Sequence, residues 1–244
     1  MARQKPKITR TPRQQRPVRT GYSNADGEAK SRIVNIIPKN DNQAAMLKAM
    51  RSHDEVIVTG YAGTGKTFLA ATEAANLYLQ RKIKRIVILR PAVAVGKDPG
   101  ALPGDLAEKN APWAAPVIDV LIEQLGSGVV ESGLKNGNIL AQPIATARGK
   151  TLANAFIIID EAQNLTIEEL KLLTTRVGEN SRIVINGDIK QTDLKGKTQS
   201  GLAKCVQMAT KYNMNIPLID FQIDDIVRSE ICKKWIIAFD AEGL

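Results

Sequence analysis

Gly60-Tyr61-Ala62-Gly63-Thr64-Gly65-Lys66-Thr67 separates two stretches of different hydrophobic period. Before it, residues 55–60 form a short β-rich run ending in glycine. After it, residues 66–80 carry Leu69, Ala70, Ala74, Leu77 and Tyr78 at helical spacing. A strand turning through glycines into a helix fits G-x-x-x-x-G-K-[ST] in the context where that pattern has a mechanism. Glycine lets backbone N–H groups curl around phosphate oxygens without interference from Cβ, and the helix N-terminus adds partial positive charge. Residues Gly60, Tyr61, Ala62, Gly63, Thr64, Gly65 and Phe68 are the expected cradle. Lys66 is expected to reach the β- and γ-phosphates, and Thr67 to ligate Mg²⁺ through its hydroxyl.

Outward from this loop the chain alternates strands with helices. Strands are expected at residues 85–89, 138–141, 155–159, 182–186 and 216–221, and Pro217 points to a sheet edge for the last of these. Helices are expected at 40–50, at 166–177 behind a Thr166/Glu169 capping box, at 198–211, and at 229–239 with Ile231, Trp235 and Phe239 on one face. The strands are near-continuous apolar runs, which implies an α/β fold with a mainly parallel sheet covered by helices on both faces. Residues 91–137 are rich in Pro and Gly around one helix, where Trp113, Val117, Leu121 and Leu125 recur every fourth residue. That stretch is too long for a plain loop and is expected to be a functional insertion.

FIIIDEAQ, residues 156–163, drives four apolar residues into two adjacent acids. In a parallel sheet Ile159 delivers Asp160 to the same carboxyl edge as Gly60, the edge where ligands bind. Asp160 is then placed to hold the Mg²⁺ that Thr67 holds, and Glu161 to polarise a water for attack on the γ-phosphorus. NGDIKQ, residues 186–191, also follows an apolar strand. It brings Asp188 to support the metal shell and Gln191 to sense the γ-phosphate or orient the attacking water.

Composition bounds the rest. The 244 residues are 43% hydrophobic, enough for one large domain, expected over 31–244. The net charge of +9 is uneven: residues 1–30 hold eight cations against two acids, so six of the nine net charges sit there. That segment has few large apolar residues and no period, and is expected to be a disordered basic tail that binds nucleic-acid phosphates without sequence preference. It lacks the apolar region of a secretory signal, and no stretch approaches the roughly 20 apolar residues of a membrane span, so a cytoplasmic location is expected. Cys205, Cys232 and a single histidine, His53, support neither a disulfide framework nor a zinc site.

GYAGTGKT, IIIDEAQ and GDIKQ together resemble motifs I, II and III of superfamily 1 helicases. The segments LRPAVAVG, LPGDLAEKNAPW, ARGKTLANAFIIIDEAQN and FQIDDIVRS make the resemblance more specific, to the PhoH family of ATPases, over about residues 35–240. The resemblance implies a RecA-like P-loop NTPase core with the Gly-Asp-x-x-Gln strand between the other two motif strands. It also implies ATP hydrolysis, action on single-stranded RNA or DNA, and assembly into a homo-oligomeric ring such as a hexamer. Gln43 matches the upstream glutamine that reads the adenine edge in helicase-like ATPases. Arg228 matches an arginine that supplies positive charge to the γ-phosphate, in cis or in a neighbouring subunit. Arg90, Arg148 and Lys150 lie where helicase-like proteins contact the nucleic-acid backbone. The chain departs from the family pattern in its tail and at Ala94-Val95, where an acidic residue is more usual.

Only one set of motifs is present, so either movement is coupled across subunits or the protein does not unwind by itself. Two other functions suit the same loop. One is a nucleotide-controlled binding module for RNA or a protein, with slow turnover. The other is a P-loop kinase for a small acceptor, which the acid pair of Asp160 and Glu161 disfavours because it prepares water as the acceptor.

Overall fold

The computed structural model describes residues 33–91, 106–144, 151–192, 194 and 200–242. Six strands form one sheet: β1 (Glu55–Gly60), β2 (Arg85–Arg90), β3 (Ile139–Pro143), β4 (Ala155–Ile159), β5 (Arg182–Asn186) and β6 (Leu218–Phe221). Their order is β3-β2-β4-β5-β1-β6, and every pairing is parallel. The Gly-Asp-x-x-Gln strand β5 thus lies between β4 and β1, the RecA-like arrangement that the resemblance implies. Strand β6, which follows Pro217, is an edge strand held only by β1.

The apolar runs are continuous because both faces of the sheet are buried. Val56, Val58, Ile86, Ile88, Phe156, Ile158 and Val184 point to one side, where α1 (Asp41–Ser52), α2 (Lys66–Leu79), α3 (Leu106–Leu125) and α4 (Ser127–Asn136) pack. Their alternating neighbours Ile57, Val87, Leu89, Ile157, Ile159, Ile183 and Ile185 point to the other, under α5 (Ile167–Thr174) and α6 (Gly201–Lys211). Alternation is present, but each set meets a hydrophobic layer, so the pattern in the text is unbroken. Helix α2 is buried almost all round, and its alanines let α1 and α3 approach closely.

The 166–177 helix begins as expected, with Thr166 Oγ1 accepting from the Glu169 N–H and the Glu169 carboxylate accepting from the Thr166 N–H. It ends earlier, at Thr174, because Val177 bridges to Leu152 instead.

One region departs from the sequence reading. Residues 91–137 hold two helices, α3 and α4, rather than one; residues 92–105 lie outside the described ones. Glycines argue against α4, yet Gly133 lies where a Cβ would come within 2.8 Å of the Ile139 side chain, so packing on β3 rewards the missing methyl. The described part of this stretch is therefore a crossover from β2 to β3 that covers the sheet. The last expected helix forms as α7 (Glu230–Ala241) and has no buried residue. Ile231, Trp235 and Phe239 are 74%, 61% and 49% exposed, with the two rings stacked 5.6 Å apart. No helix among the described residues is long and apolar enough to cross a membrane. Residues 1–32, with the basic tail, lie outside the described residues.

Candidate functional site

Strands β1, β4 and β5 run parallel, so Gly60, Asp160 and Gly187 emerge at one edge of the sheet. A cavity of about 350 Å³ opens there, lined among others by Lys66, Thr67, Asp160, Glu161, Gln191 and Arg228. Ala62, Gly63, Gly65, Phe68 and Arg90 line it as well, so most of the expected residues meet in one place.

The loop is built for close backbone approach. Gly60, Gly63 and Gly65 have φ of 111°, 79° and 93°, in the region that favours glycine. Gly65 caps α2 without a side-chain hydrogen bond, which leaves the first N–H groups of the helix for an anion. Thr64 Oγ1 donates to the Tyr61 carbonyl at 2.9 Å and pins the turn from inside. The Lys66 ammonium donates to the carbonyl oxygens of Gly60 and Tyr61, each at 2.6 Å. Burial pushes this amine below the ordinary lysine range, against the pull of Asp188, Asp160, Glu161 and Asp220.

Thr67 Oγ1 donates to Asp160 Oδ1 at 3.0 Å, so the two expected Mg²⁺ ligands touch. A hydroxyl, a carboxylate and no soft ligand suit a hard cation that keeps waters and shares substrate phosphates. Further observations favour such a group. Both polar atoms of the Asn186 amide and Oδ2 of Asp188 are buried with no hydrogen-bond partner among the described residues. Ile159 pairs with Ile185, so Asp160 and Asn186 end adjacent strands side by side. Buried polar atoms are normally satisfied, and an unsatisfied set beside a phosphate loop marks where a polar ligand belongs.

Burial also pushes the Asp160 carboxyl above the usual aspartate range, with Arg90 the main opposing influence, and pushes Asp188 the same way. A carboxyl raised in the fold binds its proton more tightly there than in the unfolded chain. Stability is then lost as pH rises from the unfolded to the folded value, and at neutral pH the ionised form is a cost. Asp160→Asn is therefore expected to raise the melting temperature of the ligand-free protein, while nucleotide binding loses its Mg²⁺ dependence. A lower melting temperature would mean that the Thr67 and Arg90 contacts outweigh burial.

Glu161 follows in a left-handed conformation, φ 55° and ψ 38°, uncommon for a residue with a side chain. Its Oε1 accepts from Arg90 Nη2 at 2.9 Å and its Oε2 from Gln163 Nε2 at 2.6 Å. The other end of the Gln163 amide accepts from the Asp188 N–H at 3.0 Å. Motifs II and III are thus joined through Gln163, whose role the sequence reading missed. The signal available was its place as the last polar residue of DEAQ. Arg90, expected on a nucleic-acid backbone, sits at the end of β2 with Glu161 and lies 3.8 Å from Asp160. Arg148 and Lys150 fall outside the described residues.

Gln43 lies against the phosphate loop. Its amide donates to the Thr64 carbonyl and accepts from the Lys39 N–H, both at 2.9 Å, and it is buried and absent from the cavity lining. It thereby braces the phosphate loop. Arg228 lies over its own loop, where a Cβ on Gly63 would come within 2.8 Å of Arg228 Cγ, and the Val227 N–H holds the Gly63 carbonyl at 3.0 Å. Tyr61 adds a side-chain role to its place in the loop. Its hydroxyl donates to Asp240 Oδ1 at 2.7 Å and takes a hydrogen bond from the Lys190 ammonium, tying the loop and motif III to α7. The hydroxyl bond holds the Asp240 carboxyl below its usual range.

The PhoH-like protein family model matches residues 35–240. Protein PhoH of Escherichia coli K12 is 38% identical over 206 residues, which cover 84% of this chain and 58% of that protein. A PhoH-like protein of Bacillus subtilis is 38% identical over 215 residues, covering 88% and 66%. The chain thus spans about three fifths of the length of these relatives. Among solved structures, the Sulfolobus solfataricus SWI2/SNF2 ATPase core in complex with dsDNA aligns with a TM-score of 0.45 at 14% identity, over 78% of this chain and 47% of that one. Pif1 helicase from Candida albicans aligns with a TM-score of 0.38 at 16% identity, over 77% and 40%.

Proposed function

The chain belongs to the PhoH-like family of P-loop NTPases, and from that premise we propose that it hydrolyses ATP with Mg²⁺ and couples turnover to single-stranded nucleic acid, RNA in preference to DNA, in the cytoplasm as a homo-oligomeric ring. The observation that carries this reading is the convergence of Lys66, Thr67, Asp160, Glu161, Gln191 and Arg228 on one cavity at the carboxyl edge of the sheet.

Each residue has a task set by its position. The loop N–H groups and Lys66 hold the β- and γ-phosphates, and the half-exposed ring of Phe68 offers the base an apolar face. Thr67 and Asp160 hold Mg²⁺, which when bound neutralises charge on the phosphate oxygens. Glu161 accepts the proton of the attacking water and Gln191 orients that water, on the side of the phosphorus opposite the leaving oxygen. Arg228 stabilises charge on the transferred phosphoryl group. The basic tail supplies unspecific affinity for a strand. The exposed face of α7 supports the ring, since an uncovered apolar stripe is a natural contact between copies.

The test is phosphate release by the full chain with and without poly(U) or poly(dT). Turnover stimulated by a polymer supports the reading, and equal rates throughout remove the coupling. Lys66→Ala should show neither turnover nor stimulation.

The position of Arg228 over its own Gly63 supports a cis action, with action in a neighbour's site the alternative. Arg228→Ala should lower turnover about 10- to 100-fold, the worth of one charged hydrogen bond. Mixed with Lys66→Ala subunits, it should recover nothing beyond the sum of the separate rates. Recovery in the mixture would move the arginine to a neighbour's site.

A further inference from the structure

Glu161 is the residue that must take a proton from water, yet both of its carboxylate oxygens are engaged within the protein. Arg90 holds Oε1 at 2.9 Å and Gln163 holds Oε2 at 2.6 Å. The left-handed backbone at Glu161 aims the side chain toward these partners and away from any ordinary strand or helix path. The two holders differ in kind. Gln163 is buried and committed at its other end to the Asp188 N–H, so it is part of the scaffold. Arg90 ends strand β2, lines the cavity and has a side chain that is 19% exposed.

We infer that Arg90 is a latch on Glu161, and that a phosphodiester of a single nucleic-acid strand at the end of β2 releases it by competing for the guanidinium. The inference rests on the strand-coupled reading above and names its regulation. Its chemical basis is that the planar fork of arginine binds carboxylate and phosphate alike. Exchange of one charged acceptor for another keeps Arg90 satisfied, while Oε1 of the 42% exposed Glu161 side chain is left to water alone. A strand then speeds hydrolysis without touching the nucleotide.

The experiment is steady-state phosphate release by wild type, Arg90→Ala and Arg90→Lys, with MgATP alone and with poly(U) or poly(dT) added, beside affinity for a fluorescent ATP analogue. Arg90→Ala is expected to raise the rate without polymer about 5-fold or more, the scale of ordinary coupling, and to lose polymer stimulation. Analogue affinity and KM for ATP should stay within about twofold, because a latch on the base acts on kcat. Arg90→Lys, which keeps the charge and guards against a folding defect, should fall between.

An unchanged or lower basal rate in both variants overturns the latch, and a lower one makes Arg90 a positioning residue for catalysis. Equal stimulation of wild type and Arg90→Ala overturns the release while leaving the strand-coupled reading intact. Absence of stimulation in wild type defeats that reading and the release with it. A raised basal rate in Arg90→Ala would then still establish the hold on Glu161.

Discussion

Phosphate release by Glu161→Gln is expected to fall about 10²–10⁴-fold, the worth of a positioned general base, while ATP binding survives. The substitution keeps shape and removes basicity. The Gln163 amide, which donates to Glu161 Oε2, can donate to a glutamine carbonyl as well, so that side of the site should hold. On the other side the new NH₂ would face the Arg90 guanidinium, donor against donor, and that contact should open. The variant thus unlatches position 161 and disables it at once. If turnover nevertheless collapses, the proton acceptor is Glu161 itself and not the charge balance around Arg90. Single-turnover hydrolysis beside equilibrium binding of a nucleotide analogue separates the outcomes. Lys66→Ala should lose binding and turnover together, whereas Glu161→Gln should lose turnover alone. A residual rate within about tenfold of wild type would assign water activation elsewhere at the same edge, with Asp188 the nearest carboxylate on β5's loop.

What the sequence revealed and what it withheld follow from the range of the interactions. The phosphate loop is local: Gly60 to Thr67 needs only neighbouring residues to declare strand, turn and helix start. Asp160 and Asp188 were legible because a parallel sheet sends every strand end to one edge, so topology stood in for distance. Pro217 marked the edge strand because proline lacks a ladder donor. The thread from Arg90 to Glu161 joins residues 71 apart in the chain, and that from Gln43 to Thr64 joins residues 21 apart. Neither residue type dictates its partner. For Gln43, similarity of position suggests an adenine contact, whereas its bond to the Thr64 carbonyl depends on a placement that the sequence does not carry. Helix α4 was hidden for another reason. Its glycines lower helix propensity, and the gain from fitting Gly133 against Ile139 exists only after β3 has docked. The partnerless amide of Asn186 likewise has no sequence signature, because asparagine before Gly-Asp reads as an ordinary turn.

Gly60→Ala is expected to destabilise the fold by about 4 kcal/mol or more, and to do so from the sheet rather than from the loop. Gly60 pairs with Phe221 across β1 and β6, and its φ of 111° already disfavours any side chain. A Cβ there would lie 1.9 Å from the Phe221 carbonyl oxygen and 2.7 Å from its carbonyl carbon and nitrogen. These are backbone atoms, so no rotamer can yield; the strands must part. Strand β6 is four residues long and has a neighbour on one side only, while Phe221 is a fully buried anchor of the core. Parting it should free the end of the sheet that leads to Arg228 and α7. The other loop glycines make the comparison. A Cβ on Gly63 would meet the Arg228 side chain at 2.8 Å, and one on Gly65 the Gln43 amide at 3.0 Å, both movable. Gly63→Ala should therefore displace Arg228 and slow turnover with only the strain of its own backbone, about 1–2 kcal/mol. Thermal melting ranks them: at about 2–4 °C per kcal/mol for a domain of this size, Gly60→Ala should melt at least about 8 °C below wild type. Hydrogen exchange should rise first at residues 218–221, because the lesion is against that strand's backbone. A Gly60→Ala protein melting as Gly63→Ala does, with β6 still protected, would show that β1 and β6 can separate locally at little cost and that the loop, not the strand pair, fixes glycine at this position.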